Sequence, residues 1–306
     1  MKMKVKIIRV FFATFAIIII LFSCQSFEAI TQVGAAAVGQ ITGYQVDPKI
    51  VDAIGKSGVA IGKAFEEITP EQEYYIGRAV GANVLAAYKI QTNNPAMTNY
   101  VNKICNALVI NSPRPEIFNG YHANVLDTDE INAFATPGGH IFITRGLINC
   151  TSSEDALASV LAHEIAHIQL EHGLKAIKNS RITQAILITG TSTAGAAGYD
   201  LGEMTGVFSE SVNEIVTTMV SNGYSRSQEL DADSMAMSLL YLAGYEPSSL
   251  LEMLKVLEKE QGGHPGGFNK THPTPAQRIS NAERTVGNYK VEDTRSYRRA
   301  RYAAVR

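Results

Sequence analysis

Two histidines four residues apart, with a glutamate beside the first, constrain this chain most: His163-Glu164-Ile165-Ala166-His167. On a helix, positions i and i+4 share a face, so both imidazoles can turn toward one metal ion. Zinc accepts such nitrogens at about 2.0–2.1 Å. Glu164, one residue along, is then close enough to hold a water at that metal without ligating it. The surrounding sequence is that of a helix. Thr151-Ser152-Ser153-Glu154 reads as a capping box that opens it, and Gly173 stops it. Leu157, Val160, Leu161 and Ile165 supply its buried side. A coincidental polar helix face is the alternative, and the cap, apolar side and stop together speak against it.

Catalytic zinc needs a third protein ligand and an open fourth position. The segment Ser225–Asp233 offers Glu229 and Asp233, again four apart on a predicted helix. One can ligate the metal, while the other accepts a hydrogen bond from a ligating imidazole and fixes its tautomer. Spacing alone does not say which, and it also suits a solvated acidic face.

The N-terminus is expected to lie outside the fold. Lys2, Lys4, Lys6 and Arg9 precede an apolar run from Val10 to Phe22 broken only by Thr14, and Leu21-Phe22-Ser23-Cys24 follows. This is the pattern of a secretory signal over residues 1–23, with Cys24 as the acylated first residue of a bacterial lipoprotein. Phe22 is atypical for such a site and leaves export unaffected. The run is shorter than the ~20 residues of a membrane span, which disfavours an uncleaved anchor. Removing residues 1–23 takes four basic groups and shifts the formal charge from -2 to -6. Neither value suggests a polyanionic partner, so no nucleic-acid binding is expected. The Gly- and Ala-rich stretch 24–68 reads as a lipidated lead-in. Beyond Cys24 only Cys105 and Cys150 remain. Export permits a disulfide between them, and two separate buried thiols fit equally well.

The rest predicts a mainly α fold with a small β-sheet (α+β). Thr69-Pro70-Glu71 opens a helix reaching about Lys89, and a second covers Pro95 to Ile110. Strands are expected at Tyr121–Leu126, Ile131–Ala135 and His140–Thr144, with Pro137-Gly138-Gly139 as a turn. Helices are expected again from Ala176, and over Ser211–Val220, Ser225–Ala243 and Pro247–Lys259. The composition of Thr189–Gly202 suits a mobile element, and Gln261–Gly267 reads as a glycine-rich loop. Residues 291–306 carry several arginines and read as a basic tail, either frayed in solvent or touching anionic lipid headgroups.

The segment Asn132–Leu147, HEIAH, the Glu229–Asp233 helix and Thr271-His272-Pro273-Thr274-Pro275-Ala276-Gln277-Arg278, in that order along the chain, resemble the gluzincin metallopeptidases related to HtpX and the CAAX prenyl endopeptidase. The similarity covers roughly residues 70–285, and the exported lipoprotein proteases of LoiP and BepA type resemble it more than HtpX does. The chain ends before the helical-repeat domain of the BepA type, and so resembles the compact form. The resemblance implies a zincin-like domain over residues 69–290 that binds one zinc ion through His163, His167 and Glu229. Glu164 would be general base and then acid, with Asp233 behind the ligands. Asn132, Ala133, Phe134 and Ala135 would lie on a strand beside the cleft, where a substrate backbone can add. His272 and Arg278 carry two readings each. They approach the metal and stabilise the oxyanion, His272 alternatively filling the open zinc position at rest; or they cap a helix and form a structural ion pair. His122, His140, His172 and His264 read as surface or packing residues. The expected activity is cleavage of misfolded envelope proteins on the periplasmic side of the outer membrane, beside envelope assembly machinery. The rivals are an envelope chaperone with minor proteolysis, and a non-enzymatic protein with a structural zinc site.

Overall fold

Pro70 at the first helical position and acids in the first turn start helix α1 (Pro70–Ala87) where expected. Thr69 Oγ1 accepts from the Gln72 amide and Gln72 Oε1 accepts from the Thr69 amide, a reciprocal cap. The computed structural model describes residues 68–175, 213, 215–261, 267–272, 275–292 and 294–305. The expected signal, the acylated Cys24, the lead-in to residue 67, the helix from Ala176, the segment 189–202 and His264 lie outside them. No helix among the described residues is long and apolar enough to cross a membrane.

Among the described residues the further helices and strands are α2 (Pro95–Val109), β1 (His122–Leu126), β2 (Ala133–Ala135), β3 (His140–Thr144), α3 (Arg145–Cys150), α4 (Glu154–Gln169), α5 (Arg226–Leu242), α6 (Ser248–Gln261), the single turn α7 (Phe268–Thr271), α8 (Pro275–Thr285) and α9 (Arg295–Ala303). A π-helical turn spans Thr218–Asn222. The fold is mainly helical with one small sheet, as the sequence predicts. The strand order is β1-β3-β2, with β1 parallel and β2 antiparallel to the central β3.

Side-chain alternation divides the sheet between two cores. Ile141 and Ile143 of β3 and Ala133 and Ala135 of β2 join the larger core, built with α2, α4, α5 and α6. Phe142 and Phe134 face the other way, into a smaller core with Ile76, Val80 and Val84 of α1. Helix α1 approaches the Pro137 turn so closely that a Cβ at Gly77 would lie 1.7 Å from the Pro137 carbonyl oxygen. Gly138 adopts φ 70° in that turn and donates its amide to Glu73. Helix α4 runs through the interior with every residue from Glu154 to Gln169 buried.

Two expectations need correction. The capping box at Thr151 does not form. Ser153 is the cap of α4, accepting from the Ala156 amide, while Thr151 bonds the Ile148 carbonyl at the end of α3. Glu154 does not fold back on a cap because Arg301, Tyr100 and Tyr245 take its carboxylate. Nor is the basic C-terminal segment a frayed tail. It forms α9, whose Arg298 is buried against Asp155. As for the cysteines, Cys105 is a free, fully buried thiol, so no disulfide joins it to Cys150, and burial pushes its pKa up to about 12.

Candidate active site

Helix α4 delivers His163 and His167, one turn apart, toward α5. Ser225 and Gln228 form a reciprocal cap that fixes the start of α5, which places Glu229 in its first turn and Asp233 one turn on. His272 follows directly on α7, and Arg278 comes from α8. His163, His167, Glu229, Asp233, His272 and Arg278 are all buried.

His163, His167, Glu229 and His272 each present one donor atom, and the four atoms lie within 4.8 Å of one another. His163 Nε2 is 3.1 Å from His167 Nε2, 3.2 Å from His272 Nδ1 and 3.4 Å from Glu229 Oε2. His272 Nδ1 is 3.1 Å from Glu229 Oε1, and His167 Nε2 is 3.5 Å from the same oxygen. Donors held about 2.0–2.1 Å from a tetrahedral zinc lie about 3.3 Å apart, so the donor set and its spacing fit that ion.

Glu164 sits beside the cluster, buried, and among the described residues neither of its carboxylate oxygens accepts a hydrogen bond. Oε1 lies 3.4 Å from His272 Nε2. Burial pushes its carboxyl above the usual range, against the pull of His272 and His163. A buried carboxylate without a partner is costly, and it is the arrangement expected of a group that holds water and takes a proton.

Asp233 Oδ1 lies 3.0 Å from His163 Nδ1. Arg278 grips Asp233 through two hydrogen bonds of 2.8 and 2.7 Å and reaches Glu229 Oε2 at 2.9 Å. Burial would raise the Glu229 carboxyl, but the His272 and Arg278 charges hold it well below its usual range. Burial and Arg278 both press the His163 pKa down, yet among the protein groups alone its hydrogen bonds to Asp233 and Glu229 carry it up to about 9.

Asn132 and β2 form the sheet edge beside this cluster, and Ala133, Phe134 and Ala135 are almost wholly buried. The α7 turn lies across the start of that edge. The Phe268 amide donates to the Ile131 carbonyl at 2.8 Å, and Thr271 Oγ1 to Asn132 Oδ1 at 3.1 Å. The Phe268 ring stacks on His272 at 4.2 Å.

Two residues here escape sequence reading. His172, expected at the surface or in packing, is 1% exposed, and its Nδ1 lies 2.9 Å from His167 Nδ1. Tyr224 stacks on the His167 ring at 4.1 Å and 18°. Tyr224 stands one residue before the cap of α5, and no local pattern marks it. Of the other histidines, His122 is exposed and His140 partly buried on neighbouring strands.

The model of peptidase family M48 matches residues 95–286. The chain is 28% identical over 228 residues to a beta-barrel assembly-enhancing protease of Yersinia pestis, covering 70% of this chain and 44% of that protein. It is 28% identical over 189 residues to the metalloprotease LoiP of Escherichia coli, covering 60% and 69% respectively. A mitochondrial metalloendopeptidase of Schizosaccharomyces pombe is 24% identical over 225 residues, 72% of this chain and 63% of its own. The chain spans about half the length of the beta-barrel assembly-enhancing proteases among the curated relatives it matches.

Proposed function

Because the chain belongs to peptidase family M48, we propose that it is a zinc metalloendopeptidase of the bacterial cell envelope that hydrolyses misfolded or misassembled envelope proteins. The observation that carries this reading is the convergence of two imidazoles from α4 and one carboxylate from α5 beside the buried Glu164, which has no hydrogen-bond partner among the described residues. His163, His167 and Glu229 are the zinc ligands. Zinc in this place supplies Lewis acidity, polarising the scissile carbonyl and making water acidic enough to attack near neutral pH.

The protein groups do the rest. Glu164 orients the attacking water and takes its proton, and its burial-raised pKa matches that task. The same carboxyl then returns the proton to the leaving amine. Asp233 holds the His163 ring through Nδ1, and Arg278 holds Asp233 and Glu229 together. Bound on both sides by carboxylates, Arg278 acts by positioning them, which is the ion-pair reading of this residue. The substrate backbone adds along the β2 edge at Asn132–Ala135, where main-chain hydrogen bonds give loose sequence preference. The α7 turn occupies the start of that edge and His272 the fourth donor place, so both must withdraw together before substrate engages.

That position of His272 favours a second reading, an envelope lipoprotein that acts as chaperone or assembly factor with latent proteolysis. Export behind the signal of residues 1–23 and a lipid on Cys24 would hold either protein at the periplasmic face of the outer membrane. The names of the relatives fit both readings. The Glu164→Gln variant separates them. The protease reading expects it to keep zinc and lose turnover of an unfolded protein such as casein by about 10²–10⁴-fold. Undiminished cleavage overturns the mechanism. Full support of envelope assembly by the same variant favours the chaperone.

A further inference from the structure

His167 turns Nε2 into the donor cluster and Nδ1 away from it. An imidazole that ligates through Nε2 carries its remaining proton on Nδ1, and the acceptor of that proton sets the tautomer and orientation of the ring. For His163 the acceptor is the Asp233 carboxylate at 3.0 Å. For His167 the atom in that place is His172 Nδ1 at 2.9 Å. Building on the zinc reading of the site, we propose that His172 is a positioning residue for His167, accepting the Nδ1–H through its own Nδ1 lone pair and so aiming Nε2 at the metal.

Three observations support this assignment. The first is the backbone. Had α4 continued, a side chain five positions on would point about 140° away from His167. Instead α4 ends at Gln169 and Glu171 adopts φ 56°. That left-handed residue takes the chain off the path of α4, and His172 lies against the His167 ring. The second is the cost of the ring. His172 Nε2 is buried with no partner among the described residues, a desolvation an apolar side chain of similar size would avoid. The Nδ1 contact is what the imidazole provides in return. The third is charge. The carboxylates Glu164, Glu229 and Asp233 share the buried site with the Arg278 guanidinium. A divalent cation brings that set to neutrality, and a carboxylate behind His167 would leave it one charge negative. A neutral imidazole supplies an acceptor without that charge. Tyr224, stacked flat on His167, holds the ring plane from the side.

Two substitutions separate hydrogen bonding from packing. His172→Phe keeps the ring and removes the acceptor. His172→Asn loses the ring, but its amide oxygen can stand where Nδ1 stands. The measurement is the zinc dissociation constant of the full chain, by competition with a chromophoric chelator, with the melting temperature of the zinc-free protein as a check on folding. We expect His172→Phe to weaken zinc binding by about 10–100-fold and His172→Asn to recover most of it. Wild-type affinity in His172→Phe, or an Asn variant no better than Phe, overturns the proposal. Failure of the unaltered protein to bind zinc overturns instead the reading of the site on which it rests.

Discussion

The two ends of helix α4 both bury charge, and they treat it in opposite ways. At the N-terminal end Glu154 and Asp155 are 1% and 2% exposed, and every contact is matched. Glu154 accepts from Tyr100, Tyr245 and Arg301. Asp155 takes two hydrogen bonds from Arg298, of 2.9 and 2.7 Å, and one from the Glu246 amide. Acids in a first turn also suit the helix dipole. Ten residues on, Glu164 is equally buried, and among the described residues its carboxylate accepts no hydrogen bond, with His272 Nε2 3.4 Å away. A fully partnered buried charge is a structural joint, whereas an unpartnered one is destabilising until chemistry supplies a partner. Burial alone does not distinguish the two, but partners do.

Breaking the joint gives the largest expected effect. Arg298→Ala leaves Asp155 buried without its guanidinium and detaches α9 from α4. Removing one member of a buried pair costs about 3–5 kcal/mol, measurable by urea unfolding. A loss below about 1 kcal/mol would mean that α9 is dispensable and that the two ends do not differ as described.

The Glu164 end predicts the opposite sign. In zinc-free protein, Glu164→Gln replaces a buried carboxylate that has no hydrogen-bond partner with a neutral amide. Stability at neutral pH should hold or rise by on the order of 1 kcal/mol, in keeping with the tension between function and stability at such sites. Destabilisation comparable to Arg298→Ala would show that Glu164 is a structural charge too.

The same contrast explains what the sequence discloses. HEIAH and the Glu229/Asp233 pair are legible because each rests on the i, i+4 geometry of one helix, a local property. The strands at His122–Leu126 and His140–Thr144 are legible from β-branched and aromatic residues between turn signals. His172 is hidden because its contact depends on one left-handed residue, Glu171, which brings a side chain expected at the surface or in packing against the His167 ring. The role of α9 is hidden because Asp155 and Arg298 stand 143 residues apart. An arginine-rich segment declares its charge, while its partners depend on the tertiary fold. Glu154 shows the same limit. Its position suits a capping box, and its carboxylate is claimed by groups from three other parts of the chain.

The smallest effect is a matter of acid. Burial pushes the Glu154 carboxyl up, but the hydrogen bonds from Arg301, Tyr100 and Tyr245 outweigh it and hold the pKa below the ordinary 4.5. The unfolded chain therefore takes up its proton first as pH falls. The stabilisation from Glu154 is complete above about pH 4.5 and is lost as pH drops through the lowered folded value. Glu164, whose pKa is raised, works in the other direction: its folded form holds the proton longer, and stability falls as pH rises through that window. Glu154→Gln should thus flatten the rise of unfolding free energy with pH on the acid side. Because Arg301 is half exposed, the difference should shrink in high salt. Urea titrations of the zinc-free protein at several pH values below 5 measure the slope directly. An unchanged slope in Glu154→Gln would show that the tight contacts at this end carry no linked proton, and that the joint rests on Asp155 and Arg298 alone.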